Sequence, residues 1–208
     1  GITLQDFASL KNRIIDSERN GYGTELADIL STIDEQTAMD SETLKTRFWD
    51  MFIVDALIGN WDRHNGNWGF LYNNATDEVT LAPVFDCGSS LYPQADEDLM
   101  KKILSDKNEL NHRIFDIPLS AITYNGKKIN YFKFLSEGKF PDCNKALKRI
   151  ASRIDMKKIY EIIDNTPTIT ELQKEFYKTM LTARKERIID FSLNKLKEKS
   201  KKHDDMQR

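Results

Sequence analysis

Gly59-Asn60-Trp61-Asp62-Arg63-His64-Asn65-Gly66-Asn67, followed after a short connecting segment by Val84-Phe85-Asp86-Cys87-Gly88, decides how this chain is read. The run sets carboxylate, amide and imidazole groups between apolar stretches, and such groups are costly to bury unless something binds them. Two carboxylates and an amide in that setting point to a metal–phosphate site. The chemistry that uses this set is phosphoryl transfer, in which one Asp orients the attacking hydroxyl while an Asn and a second Asp hold magnesium on the nucleotide phosphates. In chain order Asp62 takes the first role, Asn67 the second and Asp86 the third. An amide oxygen with a carboxylate suits a hard cation, Mg²⁺ rather than zinc. The plain alternative is a tight loop, because Asn, Gly and Asp are turn formers, and Asn60 and Asn65 are read that way. Loop chemistry alone does not call for a second acidic, Gly-flanked turn after a strand, and the functional reading rests on that pairing.

At these residues the chain resembles a known family. Asp62-Arg63-His64-x-x-Asn67 is similar to the catalytic-loop order of phosphoinositide 3/4-kinases, and Phe85-Asp86-Cys87-Gly88 stands where kinases place their metal-binding Asp. The wider stretch from Phe48 to Leu91 carries Asp55-Ala56-Leu57-Ile58-Gly59-Asn60 before the loop and Ala82-Pro83-Val84-Phe85-Asp86-Cys87-Gly88-Ser89-Ser90-Leu91 after it. It resembles the C-terminal kinase domain of bacterial HipA-like toxins, and within that family the cell-translocating kinase branch. The resemblance implies Asp62 as catalytic base, Asn67 and Asp86 as magnesium ligands, and His64 as a phosphate-side group or alternative base, since imidazole titrates near working pH. It places Arg63, Phe70 and Phe85 on the cofactor side. Two roles are open to Arg63, clamping phosphate or holding a carboxylate of the loop. For the floor under the nucleotide the choice lies between Phe70 and Leu71, against ordinary hairpin packing.

The fold class implied is mainly α, a protein kinase-like or phosphoinositide 3/4-kinase-like C-terminal lobe with a small β-hairpin at the active site. ATP and Mg²⁺ are the expected cofactors, and Ser or Thr of a protein the expected acceptor. A lipid phosphotransferase is the runner-up, because the catalytic-loop order is shared. A noncatalytic kinase-like binding module of a toxin–antitoxin complex, with an antitoxin as partner, is a second alternative, and a metal-dependent hydrolase using Asp62, His64 and Asp86 a third.

Kinases of this kind bind ATP between two lobes, the smaller of which supplies a phosphate-covering loop and a Lys. No glycine-rich loop followed by a strand Lys precedes Asp62. Gly21-Tyr22-Gly23 is better explained as a turn into a helix capped by Thr24. Residues 2–208 are therefore expected to be one C-terminal lobe, with the N-terminal ATP-covering lobe absent from this chain and required as a partner. The opening Gly1 without an initiator Met suggests a piece cut from a longer kinase, with a naturally split protein as the alternative. Weak nucleotide binding and little turnover are expected of the piece alone, because positioning supplies most phosphoryl-transfer catalysis.

Composition fits a globular body. The 208 residues hold 31 Lys and Arg against 33 Asp and Glu, a formal net charge of −2. That balance gives no general drive toward nucleic acid or membrane. Cys87 and Cys143 lack paired metal-ligand spacing, so a reduced cytoplasmic protein is expected, with export by a non-classical route left open. Cys87 is read as a small buried space-filler. No apolar run is long enough to span a bilayer.

Helical spacing covers Leu4 to about Ile15 and Thr24 to Glu35. Phe7 and Leu10 are expected in core packing, with contact to adenine as the lesser option. Asp40 or Ser41 caps a helix through Phe48, Met51, Phe52, Ala56 and Ile58 that is apolar over much of its surface and therefore buried. It delivers the catalytic loop from the interior. Trp68–Tyr72 and Glu78–Leu81 read as a hairpin that brings Asp86 back beside Asn67. Asp96 to Ser105 looks helical, Asn125-Gly126 marks a second hairpin, and Gly88 to about His112 is the candidate segment for admitting substrate, with His112 an exposed bystander. Helices follow over Asp142–Ile154, Met156–Asp164 and Thr170 to about Lys199. The last carries an inward stripe of Leu172, Phe176, Met180 and Ile188, and a Lys-rich end read as solvated.

Overall fold

The computed structural model describes residues 1–15 and 17–206, with residue 17 and residues 202–206 described through the backbone alone. Helix α3, Ser41–Ile58, is the axis of the fold. Asp40 starts it by accepting hydrogen bonds from the Thr43 amide at 2.7 Å and the Thr43 hydroxyl at 2.6 Å. Gly59 ends it in the left-handed region at φ +67°, which a side chain adopts only under strain. Phe48, Trp49, Phe52, Ile53, Ala56 and Leu57 are all buried. Each large apolar side chain among them contributes roughly 1.5–3 kcal/mol by leaving water.

Around this axis the chain begins with β1, Ile2–Asp6, and then α1, Phe7–Ile14. The single helix expected from Leu4 is thus divided. Asp6 caps α1 through the Ser9 amide at 2.8 Å, so residues 2–5 lie outside the helix and pair with a distant strand. β2, Gly69–Asn73, lies between β1 and β3, Glu78–Leu81, in an antiparallel sheet of order β1-β2-β3. The expected hairpin is there, with a third strand added. Gln5 pairs with Phe70, Leu4 with Leu71, and Phe70 with Leu81. A Cβ at Gly69 would stand 2.1 Å from the Gln5 carbonyl oxygen, so only glycine lets the strands approach there.

α2, Leu26–Glu35, starts one residue later than a Thr24 cap requires. The Thr24 carbonyl accepts from the Thr123 amide, and the Glu25 carboxylate accepts from the Thr123 hydroxyl and the Asn125 and Gly126 amides. Those groups belong to the hairpin of β4, Leu119–Tyr124, and β5, Lys127–Asn130, turned through Asn125 at φ +53° and Gly126 at φ +73°. Before it stand α4, Glu97–Ser105, capped by Asp96, and α5, Lys107–Phe115.

After it come α6, Tyr131–Glu137, α7, Pro141–Ala151, α8, Met156–Asp164, α9, Glu171–Arg184, and α10, Phe191–Met206. α9 and α10 are joined by a π-turn over Lys185–Asp190, a break without Pro or Gly inside the long helix expected there. Phe176, Met180 and Ile188 of the expected stripe are fully buried. Phe134 and Phe140 stack 5.0 Å apart, and Trp49 packs edge-on to Phe52. Among the described residues no helix is long and apolar enough to cross a membrane.

Candidate active site

α3 delivers its last buried turn to the loop Asn60–Asn67, and the loop's polar side chains are spent mainly on holding its own shape. Asn65 donates from Nδ2 to the carbonyls of Gly21 and Gly23, 2.8 Å each, strapping the Gly21-Tyr22-Gly23 turn to the loop. Asn60 donates to Asp55 Oδ1 at 2.9 Å, accepts the Asp62 amide on Oδ1 at 3.1 Å, and takes the Tyr131 hydroxyl on its carbonyl at 2.6 Å. Asn67 donates from Nδ2 to the Asp62 carbonyl at 2.8 Å. That fixes which way the amide points: no donor among the described residues reaches Oδ1, so an oxygen is left over.

Arg63 is 2% exposed, and it is not placed to clamp phosphate. Its five N–H groups are all used. Nε donates to Asp55 Oδ2 at 3.0 Å and Nη2 to Asp55 Oδ1 at 3.2 Å. Nη1 donates to the Asn67 carbonyl at 2.6 Å and to the Phe85 carbonyl. The second Nη2 proton points to Cys87 Sγ at 3.3 Å. Of the two roles open to Arg63, these bonds match the bracing one. Burial pushes the Asp55 carboxyl above its ordinary range, and the guanidinium and Asn60 bonds offset part of that push. Burial alone would lower Arg63, but the Asp55 bonds and charge hold it above its ordinary value.

Phe85 and Cys87 flank Asp86, so the guanidinium reaches both sides of that residue from a loop more than twenty positions away. Asp86 is exposed and sits at φ +53°. Left-handed backbone is uncommon outside glycine, least so for Asn and Asp, and gathers at functional sites. Asp62 and His64 are half-buried. His64 Nδ1 accepts the Gly66 amide at 3.0 Å, and its ring lies 5.9 Å from that of Tyr22.

One further sequence reading changes, at Cys87. Phe70 is 3% exposed and, with Gln5, Leu10, Tyr72 and Val79, lines a cavity of about 330 Å³ between the sheet and α1. Leu71, its alternative, shares the opposite face with Leu4, 53% exposed, and Ile2, 69% exposed. Cys87 is exposed, not a buried filler. Phe85 is half-buried and is held through its carbonyl. Phe7 packs in the core, stacked on Trp68 at 4.1 Å. His112 is exposed as expected, with Nδ1 3.0 Å from Asp116.

Sequence reasoning passed over Asp55 and Tyr131. A lone carboxylate inside the apolar run Val54-Asp55-Ala56-Leu57-Ile58 was the signal for the first, because a charge on a buried helix face requires a partner. Nothing local marked the second. Among the described residues no three His, Cys, Asp or Glu side chains converge on one point. The oxygen pair of Asn67 and Asp86 still fits magnesium, which keeps several waters and substrate oxygens in place of a full protein cage.

Comparison with known proteins shows the family. The model of the HipA-like C-terminal domain family matches residues 2–169. The chain is 51% identical over 201 residues to the serine/threonine-protein kinase CtkA of Helicobacter pylori, covering 96% of this chain and 62% of that relative's length. The crystal structure of a Helicobacter pylori proinflammatory kinase CtkA superposes with a TM-score of 0.92 at 50% identity, covering 96% of this chain and 73% of that one.

Proposed function

Because the chain belongs to the HipA-like C-terminal domain family, we propose that it is the C-terminal catalytic lobe of a protein kinase, transferring the ATP γ-phosphoryl group to a Ser or Thr hydroxyl of a protein. The observation that carries this reading is the Arg63 bracket. One buried guanidinium holds the Asn67 carbonyl on one loop and the two neighbours of Asp86 on another. The residues expected to bind one cation are thereby tied to one group.

In this reading Asp62 accepts the proton of the acceptor hydroxyl. Its backbone is fixed on both sides, the amide by Asn60 and the carbonyl by Asn67, so the carboxylate is aimed before substrate arrives. His64 takes a different part. With Nδ1 accepting from Gly66, the neutral ring carries its proton on Nε2, which makes it a donor suited to a phosphate oxygen and not the acceptor of the hydroxyl proton. Asn67 Oδ1 and the Asp86 carboxylate would hold Mg²⁺, which when bound neutralises charge on the phosphates. Leu71, with Leu4 and Ile2, supplies an apolar face for the base of the nucleotide.

The smaller lobe that covers ATP is a separate requirement, and the described residues supply no phosphate-covering loop. Trp61, the neighbour of Asp62 in sequence, lines with Tyr92, Leu99, Ile103 and Pro118 a cavity of about 280 Å³ within and opposite the Gly88 to His112 segment, and in this reading that cavity takes the substrate segment.

Transfer of labelled phosphate by the whole protein tests the reading. Phosphate should appear on Ser or Thr of protein, not on phosphoinositide, and should disappear with Asp62→Asn. Label on lipid alone would move the protein to the lipid kinases. Nucleotide-independent turnover of a phosphoester would make it a hydrolase.

A further inference from the structure

Asp55 touches none of the groups assigned to the chemistry, yet short chains of hydrogen bonds join it to the backbone of Asp62 and Asn67 and to both neighbours of Asp86. It is 1% exposed, on the last buried turn of α3. Two lines of contact leave its carboxylate. The first runs through Arg63, held in a bidentate pair, to the Asn67 carbonyl, the Phe85 carbonyl and Cys87 Sγ. The second runs through Asn60, whose Oδ1 takes the Asp62 amide and whose carbonyl takes the Tyr131 hydroxyl. Tyr131 is itself buried, and burial drives its hydroxyl well above the ordinary tyrosine range, so it stays a donor to Asn60.

We infer that Asp55 is a positioning residue with two separable outputs: through Arg63 it sets the affinity of the Asn67–Asp86 pair for a divalent cation, and through Asn60 it aims Asp62. The inference rests on the metal-site reading above and adds to it which buried groups tune the site. The physical ground is geometric. Asp86 lies exposed in left-handed backbone, and no hydrogen bond among the described residues reaches its carboxylate. Between Pro83 and Gly88 the bonds that Arg63 makes to either side of Asp86 tie the segment to Asn67, ahead of the backbone bonds from the Trp61 amide to the Ser89 carbonyl and from the Leu91 amide to the Ile58 carbonyl. Carboxylate-anchored groups behind metal ligands commonly govern metal affinity. A Lys at position 63 places one ammonium where a planar fork now reaches four partners, and it satisfies only some of them.

The two outputs predict two different failures. Nucleotide binding by the whole protein is followed by calorimetry as Mg²⁺ is raised, alongside transfer kinetics and thermal unfolding. Asp55→Asn and Arg63→Lys should raise the Mg²⁺ concentration for half-maximal binding by about 10- to 100-fold, with binding recovered at high Mg²⁺. Cys87→Ala, which leaves the buried pair intact, should raise it in the same direction by less, and keeps the test open should either buried variant not fold. Tyr131→Phe should leave the metal requirement unchanged and lower the maximal transfer rate. Asp40→Ala removes only the α3 cap, and should lower the melting temperature without moving either quantity.

Unchanged metal requirement in Arg63→Lys, Asp55→Asn and Cys87→Ala overturns the inference. Asp86→Ala, run in parallel, separates its failure from that of the underlying reading. If Asp86→Ala abolishes metal-dependent binding while those three variants do not shift it, only the positioning role falls. If Asp86→Ala also leaves it unchanged, the metal site falls with it.

Discussion

The two loops that meet at Arg63 are built in opposite ways. The Asn60–Asn67 loop is half-buried or buried at nearly every residue and bonded into the fold: Asn60 donates its side-chain amide to Asp55 on α3, Asn65 to the Gly21 and Gly23 carbonyls, and Asn67 to the Asp62 carbonyl within the loop. The segment from Pro83 to Gly88 is mostly exposed, and Arg63 grips it through the Phe85 carbonyl and Cys87 Sγ. Part of its own backbone pairing comes later, where the Ser90 amide reaches the Cys87 carbonyl and the Leu91 amide reaches the Ile58 carbonyl. The difference teaches that the first loop is a finished structure and the second is held by it. A base needs a fixed aim, whereas a metal ligand at a cleft must meet ion, water and phosphate together.

The comparison breaks most visibly at Asp62. Asp62→Asn should lower phosphoryl transfer by about 10²- to 10⁴-fold, the usual worth of a positioned base, while the melting temperature stays close to that of the parent. A large loss of stability would show that the half-buried carboxylate holds the loop instead of acting from it. Next in size is Arg63→Ala, which strands a buried carboxylate and releases the second loop in one step. Removing one partner of a buried pair costs about 3–5 kcal/mol, so denaturant unfolding should shift to much lower midpoint and nucleotide binding should be lost. A shift within the range of a surface substitution would mean that Asp55 and Asn60 carry the loop without the guanidinium.

How much of this could be read from the residues alone depended on how local each signal was. Helix α3 with Asp40, one of its two cap candidates, the helix expected from Asp96 to Ser105, which starts at Glu97 with Asp96 as its cap, and the Asn125-Gly126 hairpin are all written within a few positions. β1 is not local: Ile2 to Gln5 become a strand because β2 offers an edge, whereas Leu4 and Gln5 run on into the helical spacing of α1 when read without it. The face of β2 was undecided for a related reason. Alternation says that Phe70 and Leu71 point opposite ways, but only the packing of α1 and β3 says which of them is inside. Asp55 was hidden in plain composition, one acid in an apolar run, and its meaning depended on Arg63 folding back to it. The exposure of Cys87 follows from the open second loop, which no count of cysteines reveals.

Smaller effects sharpen the contrast between the loops and their supports. Asp40→Ala should lower the midpoint of chemical unfolding slightly through the lost cap of α3, with transfer unchanged. A fall in transfer to match would show that α3 conveys strain at its start to the loop at its end. The smallest effect concerns Glu25, which ties α2 to the second hairpin. Burial raises its carboxyl, but the bonds from the Thr123 hydroxyl and the Gly126 and Asn125 amides together hold it below its ordinary 4.5. A carboxyl lowered on folding stabilises above its unfolded value, and that contribution is lost as pH falls through the lowered one. Glu25→Gln should therefore flatten the acid limb of the stability curve below about pH 4.5 and leave neutral-pH transfer alone. An unaltered acid limb would release Glu25 from that role.

The measurement closest to the central claim is a crystal structure of the whole protein with Mg²⁺ and a non-hydrolysable ATP analogue. The account predicts one cation held by Asn67 Oδ1 and the Asp86 carboxylate, with Arg63 still buried on Asp55 and still bonded to the carbonyls of Asn67 and Phe85. A cation bound without Asp86, or an Arg63 turned out onto the phosphates, would contradict it.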